Sequence, residues 1–136
     1  MATELRQLLD GLKYSPCASD ALIAESEAQL GLKLPDEYVS FLRVTNGGEG
    51  CIGKNEYAIF WKVEELASLN RAYKVQEYAP GFLIFGSNGG GEAYGFDTRT
   101  EGWPIVRLPV VVMSWTEARP MGESFAAFLK LLYEAE

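Results

Sequence analysis

The spacing of apolar residues changes along this chain, from helical up to about residue 45 to mostly strand-like, then back to helical at the end. Leu5, Leu8, Leu9 and Leu12 stand at i, i+3, i+4 and i+7, which predicts a helix from about Glu4 to Leu12 with Thr3 as its N-cap. Ser15-Pro16 breaks it. Ser19 is placed to cap a second helix through about Leu30, anchored by Leu22, Ile23 and Leu30 and stopped at Gly31. Pro35 occupies the expected first position of a third helix, where Asp36 and Glu37 complement the helix dipole. That helix buries Tyr38, Phe41 and Leu42 and is expected to end at Asn46-Gly47-Gly48.

Strand-like texture follows. Tyr57 to Trp61, Y-A-I-F-W, predicts a strand, with a short one at Cys51 to Gly53 before it. Val63 to about Tyr78 reads as a helix with Leu66, Leu69, Tyr73 and Val75 turned inward, ended by Pro80-Gly81. Phe82 to Phe85 and Glu92 to Phe96 have the length and aromatic content of paired strands. Gly89, Gly90 and Gly91 between them mark a tight reversal, and the second strand ends at Asp97. A turn through Thr98 to Gly102, a strand at Pro104 to Leu108 and a further strand at Val110 to Trp115 come next. Ser124 caps a closing helix carrying Phe125, Phe128, Leu129 and Leu132. The order of elements predicts an α+β fold in one domain spanning residues 1–136, with a mostly antiparallel or mixed sheet flanked by helices.

Composition narrows the chemistry. The chain has no histidine, which removes Ser-His-Asp and Cys-His nucleophilic sites, His-containing zinc sites and the commonest general base near neutral pH. Cys17 and Cys51 are too few for a disulfide framework and lack C-x-x-C spacing. The glycine-rich segment lacks the lysine of a phosphate loop and leads into a strand, so it predicts hairpin geometry and no nucleotide site. Glu92 and Asp97, five residues apart, fall short of a calcium loop. No catalytic, cofactor-binding or metal-ligating residue is therefore expected, and Glu25, Glu27, Asp36 and Glu37 are read as helix-surface or helix-end charges.

Net charge is −7, with 19 acidic against 12 basic residues, which disfavours direct contact with nucleic acid and fits equally a basic partner or a surface charged for solubility. Neither an apolar run of membrane-spanning length nor a secretory leader is read from the sequence, so a cytoplasmic protein without a membrane partner is expected.

Two segments carry a family likeness. The first is E-A-Q-L-G-L-K-L-P-D-E-Y-V-S-F-L-R-V-T-N-G-G, with Glu27, Leu30-Gly31, Leu34-Pro35, Tyr38, Phe41-Leu42 and Asn46-Gly47 at the marked positions. The second is Phe85-Gly86, Gly89 to Gly91, Tyr94, Phe96 and Asp97, followed at the C-terminal helix by Ser124-Phe125 and Phe128-Leu129. Together they resemble the SMI1/KNR4 (SUKH) family, from which the chain departs at Asn88, where an aspartate is frequent. The resemblance implies an α+β fold without catalytic machinery and a binding role, most often as an immunity protein that neutralises a toxin domain. A polymorphic toxin domain, a basic nuclease among the candidates, is the implied partner. Glu49, Glu56, Glu92 and Asp97 are the acidic residues expected on a binding rim, with Tyr57, Tyr94 and Trp103 as aromatic anchors beside them. A regulatory interaction module and a small-molecule binder with an aromatic pocket are the rival readings.

Overall fold

The computed structural model describes residues 2–135, with side chains for residues 5–135. Seven strands form one sheet whose spatial order follows chain order: β1 (Leu12–Tyr14), β2 (Gly48–Ile52), β3 (Glu56–Phe60), β4 (Phe82–Ser87), β5 (Glu92–Asp97), β6 (Ile105–Pro109) and β7 (Arg119–Gly122). Every neighbouring pair is antiparallel, so the sheet among the described residues is antiparallel throughout and the fold is α+β. Six helices accompany it: α1 (Ala2–Leu8), α2 (Asp20–Leu30), α3 (Asp36–Leu42), α4 (Leu66–Ala72), α5 (Val75–Tyr78) and α6 (Phe125–Glu134).

Alternation along the strands divides the apolar residues between two faces. On the first face Phe60, Leu83, Phe85, Tyr94, Phe96 and Ile105 meet Ile23 of α2, Tyr38, Phe41 and Leu42 of α3, and Phe125, Phe128, Leu129 and Leu132 of α6. Tyr38 sits at the centre of this layer, its ring centroid 5.3 to 6.1 Å from those of Phe41, Phe85, Phe96 and Phe125. Each such ring contributes about 1.5–3 kcal/mol of burial, and edge-to-face pairs add about 0.5–1.5 kcal/mol. Burial pushes the Tyr38 phenol pKa well up, and its buried hydroxyl has no hydrogen-bond partner among the described residues. On the second face Phe82, Ile84, Ala93, Val106 and Leu108 are covered by Val75 and Ala79 and by Met113.

Both ends of α2 and the start of α6 follow the caps read from the sequence. The Ser19 hydroxyl oxygen accepts the Leu22 N–H at 3.1 Å, and the Ser124 hydroxyl oxygen accepts the Ala127 N–H at 3.1 Å. Gly31 closes α2 at φ 71°, its N–H on the Glu27 carbonyl. The β4–β5 hairpin forms with Gly89 and Gly91 at positive φ, 76° and 100°.

Several boundaries differ from the sequence reading. The first helix stops at Leu8, and Leu12 already belongs to β1. Thr3 falls inside that helix and is not its cap, and its side chain lies outside the described residues. Pro35 is the N-cap of α3 instead of its first residue, and α3 ends at Leu42, well before Asn46. The expected helix over Val63 to Tyr78 is three pieces: a 3₁₀ turn Val63–Glu65, then α4, then α5. Lys74, at φ 54° and ψ 42°, breaks it between α4 and α5 and leaves Tyr73 exposed. Val110 to Trp115 is not a strand: Val111 is 91% exposed, and the segment leads to a 3₁₀ turn Trp115–Glu117. The last strand is β7 instead, a stretch with little β propensity that is held by its partner β6.

Candidate protein-binding face

Among the described residues, the second face of the sheet is covered over β4, β5 and β6 and left bare over β1, β2 and β3. Direct pairing places Glu49 opposite Ile59 and Cys51 opposite Tyr57, while Ala58 and Phe60 turn to the helical side. Residues directly opposite share a face. Lys13 joins them through its pairing with Glu49, and Ser87 through its pairing with Ile59. Tyr57 is 41% exposed, Cys51 is exposed, and Ile59 is half-buried. The Tyr57 hydroxyl donates to the Glu49 carboxylate two positions along on the neighbouring strand. That bond, with Glu49's charge, raises the Tyr57 phenol above its ordinary value.

Trp61 extends this surface toward α4. Its ring stacks on Tyr73, centroids 5.7 Å apart and planes 17° apart. A cavity of about 350 Å³ beside it is lined by Lys13, Glu49, Ile59, Trp61, Lys62 and Glu65 among others. Tyrosine and tryptophan supply large, stiff contact area at low entropic cost, the composition expected where another protein docks. Two lysines accompany two glutamates here, so the charge of this face is mixed.

The residues proposed from sequence divide into separate places. Glu49 and Tyr57 belong to the bare face. Glu56, Glu92 and Tyr94 lie in register positions of the opposite face, on the side of α6. Glu92 is ion-paired with Arg107 at 3.2 Å, although the Arg107 Nε is off the hydrogen-bonding direction. Tyr94 is a core residue, 1% exposed, with its ring 4.9 Å from that of Phe128, so it offers no exposed anchor. Burial, then the Glu56 charge, pushes its phenol up to about 12. Asp97 is buried and committed to its own turn. Its Oδ1 accepts the Arg99 N–H at 3.1 Å and the Arg99 Nε at 3.0 Å, and its Oδ2 accepts from Arg99 Nη2 at 3.2 Å. Trp103, expected to be exposed, is half-buried at φ 51° and packs on Phe96, centroids 5.9 Å apart.

Sequence reading missed Cys51, Ile59, Trp61 and Tyr73 as parts of one surface. The signal was present in Y-A-I-F-W, whose alternation puts residues 57, 59 and 61 on one face. Among the described residues, no group of three or more His, Cys, Asp or Glu side chains is arranged to hold a metal ion. Among them also, no helix is long and apolar enough to cross a membrane.

The positions that carry the sequence likeness have structural work of their own. The Glu27 carboxylate accepts the Leu34 N–H at 2.8 Å, tying the end of α2 to the segment before α3. Asn46 bonds Val63 and Glu64, and a Cβ at Gly86 would stand 2.4 Å from the Ile59 carbonyl oxygen. The sequence model of the SMI1/KNR4 family (SUKH-1) matches residues 17–131. The chain belongs to the SMI1/KNR4 family. Comparison with curated proteins gave no match. The SMI1/KNR4 motifs of this chain lie in caps, turns and core, whereas Tyr57, Ile59 and Trp61 of the bare face stand outside them.

Proposed function

We propose that this SMI1/KNR4 protein is an immunity protein that binds a cognate toxin domain and blocks it stoichiometrically, without catalysis. The observation that carries the reading is the uncovered half of the second sheet face, where Tyr57 and Tyr73 are exposed beside Trp61 and Ile59. A sheet that covers one half of a face with α5 and the Met113 segment, and leaves aromatic residues on the other half, has a surface suited to a partner. The family includes immunity proteins, which supports assigning that partner to the toxin class.

Charge supports a basic partner. The net charge of −7 accelerates encounter with a cationic toxin such as a nuclease through the long-range field. Contact on the mixed-charge bare face then fixes the docked geometry. The protein acts in the cytoplasm in this reading, where a toxin must be met before it reaches its substrate.

The test is co-expression with any toxin domain encoded beside this protein, together with calorimetric titration of the purified pair. A one-to-one complex and survival of the cells are expected. Lack of both binding and protection by the wild-type protein would sink the immunity reading. Protection that persists unchanged in a Tyr57→Ala, Trp61→Ala double variant would remove the bare face from it.

A further inference from the structure

A second concavity, which shares no lining residue with the one beside Trp61, lies between the end of α2, the α4–α5 junction and β4. Its volume is about 570 Å³, within the range of small-ligand sites. Half-buried Leu30 and Leu32 give it an apolar floor, closed beneath by the buried Val75, Phe82 and Leu83. Polar side chains in the lining are mostly committed elsewhere. Asn70 bonds the Leu66 carbonyl and both backbone groups of Ile84, Gln76 bonds Phe82 and Gly81, and Thr98 bonds the Gly81 carbonyl.

Arg71 and Lys74 are different. Both line the cleft, both are exposed, and neither has an ion pair among the described residues. Glu77 is the single acidic residue in the lining, which leaves the cleft with a net positive charge of one in a chain of net charge −7. Lys74 also stands at φ 54°, ψ 42°, a left-handed conformation that costs a lysine energy and that glycine adopts freely. Its placement fixes where the α4–α5 junction turns, beside the cleft that Lys74 lines.

We propose that this cleft binds a small amphiphilic anion, an acyl carboxylate or alkyl phosphate whose chain lies on Leu30 and Leu32 above the buried Val75 and Leu83 and whose head meets Arg71 and Lys74. The apolar floor drives burial of the chain, and the two cations select its charge. An apolar chain with one anionic head matches both parts of the cleft. The cleft's lining is distinct from that of the bare face, and this proposal stands or falls independently of the toxin reading.

Methyl-resolved NMR titration of the intact protein with octanoate, octyl phosphate and octanol tests this. Saturable shifts are expected at Leu30, Val75 and Leu83 for the two anions, with octanol at least tenfold weaker. The ratio of octanoate to octyl phosphate affinity assigns the head group. Lys74→Gly and Arg71→Gln are each expected to erase most of the preference over octanol, and Lys74→Gly is expected to hold or raise the Tm. Equal binding of octanol and the anions, or an undiminished preference in both variants, would overturn the proposal. So would cleft shifts produced by an acetylated Glu-Leu-Phe-Glu peptide but by none of the octyl probes, which would give the cleft to a protein segment.

Discussion

The side-chain oxygen of Asn46 accepts the backbone N–H of Val63 at 2.8 Å, joining the loop after α3 to the turn that leads into α4. The same side chain donates from Nδ2 to Glu64 Oε1 at 2.7 Å. Asn46 is 5% exposed, so its loss strands a buried backbone donor. Asn46→Ala is expected to cost about 2–4 kcal/mol, read from urea unfolding. The Asn46 bond is the largest cause of the lowered Glu64 pKa, so an NMR titration of the variant is expected to show Glu64 moving back toward its ordinary value.

The glycines of the β4–β5 connection are predicted to differ in what they tolerate. Gly91, at φ 100° with open space around its Cβ direction, is expected to lose about 1–2 kcal/mol as alanine through backbone strain alone. Gly90 lacks a positive φ, and its alanine variant is expected to stay within about 0.5 kcal/mol of wild type. Equal melting temperatures for the two variants would contradict the hairpin geometry.

Acid stability is expected to depend on Asp97. Its carboxyl is held below the ordinary value of 3.8 chiefly by hydrogen bonding from the Arg99 side chain, with the Arg99 backbone N–H and charge adding to it. A pKa lowered by folding means the folded state binds that proton less readily than the unfolded chain. The stabilisation is therefore fully present above the ordinary value and is lost as pH falls through the lowered one. Asp97→Asn is expected to lower stability at neutral pH and flatten its decline below about pH 4, the unfolded carboxylate range, in denaturation curves collected at stepped pH.

Tyr57→Ala separates binding from folding. The side chain is exposed and its partner Glu49 is exposed too, so stability is expected to change by less than about 0.5 kcal/mol. Affinity for the cognate toxin is expected to fall at least tenfold, about 1.4 kcal/mol. Tyr133 of α6, comparably exposed at 40%, serves as the control, and its alanine variant is expected to bind normally. Equal losses at both positions would point to a general effect and not to this face.

Helix caps and the hairpin were legible because each rests on local chemistry. Ser19, Ser124 and the glycines of the β4–β5 turn make their decisive contacts within a few residues. The break at Lys74 was not, because nothing local favours a left-handed lysine and the packing of Val75 and Ala79 under β4 imposes it. Val111 and Val112 misled for the opposite reason: their β preference is strong, but no neighbouring strand is placed to use it. Site residues suffered most. Proximity to turns suggested Tyr94, Asp97 and Trp103, whereas pairing register, a long-range property, decides which side of the sheet each residue faces.

Strand order that follows chain order has a kinetic consequence. The pairings β2–β3, β4–β5, β5–β6 and β6–β7 close short loops in which the search for register is local, whereas β1–β2 closes over α2 and α3 and β3–β4 over α4 and α5. The first face closes over a longer range still. Its cover comes from α3, formed early, and from α6, the last element of the described chain, whose Glu37–Ala126 hydrogen bond spans 89 residues. All seven strands precede α6 in the chain, so Phe60, Phe85 and Phe96 are covered on that side only once Phe125 and Phe128 pack on them. Docking of α6 is therefore expected to be the step that waits on the rest of the first face.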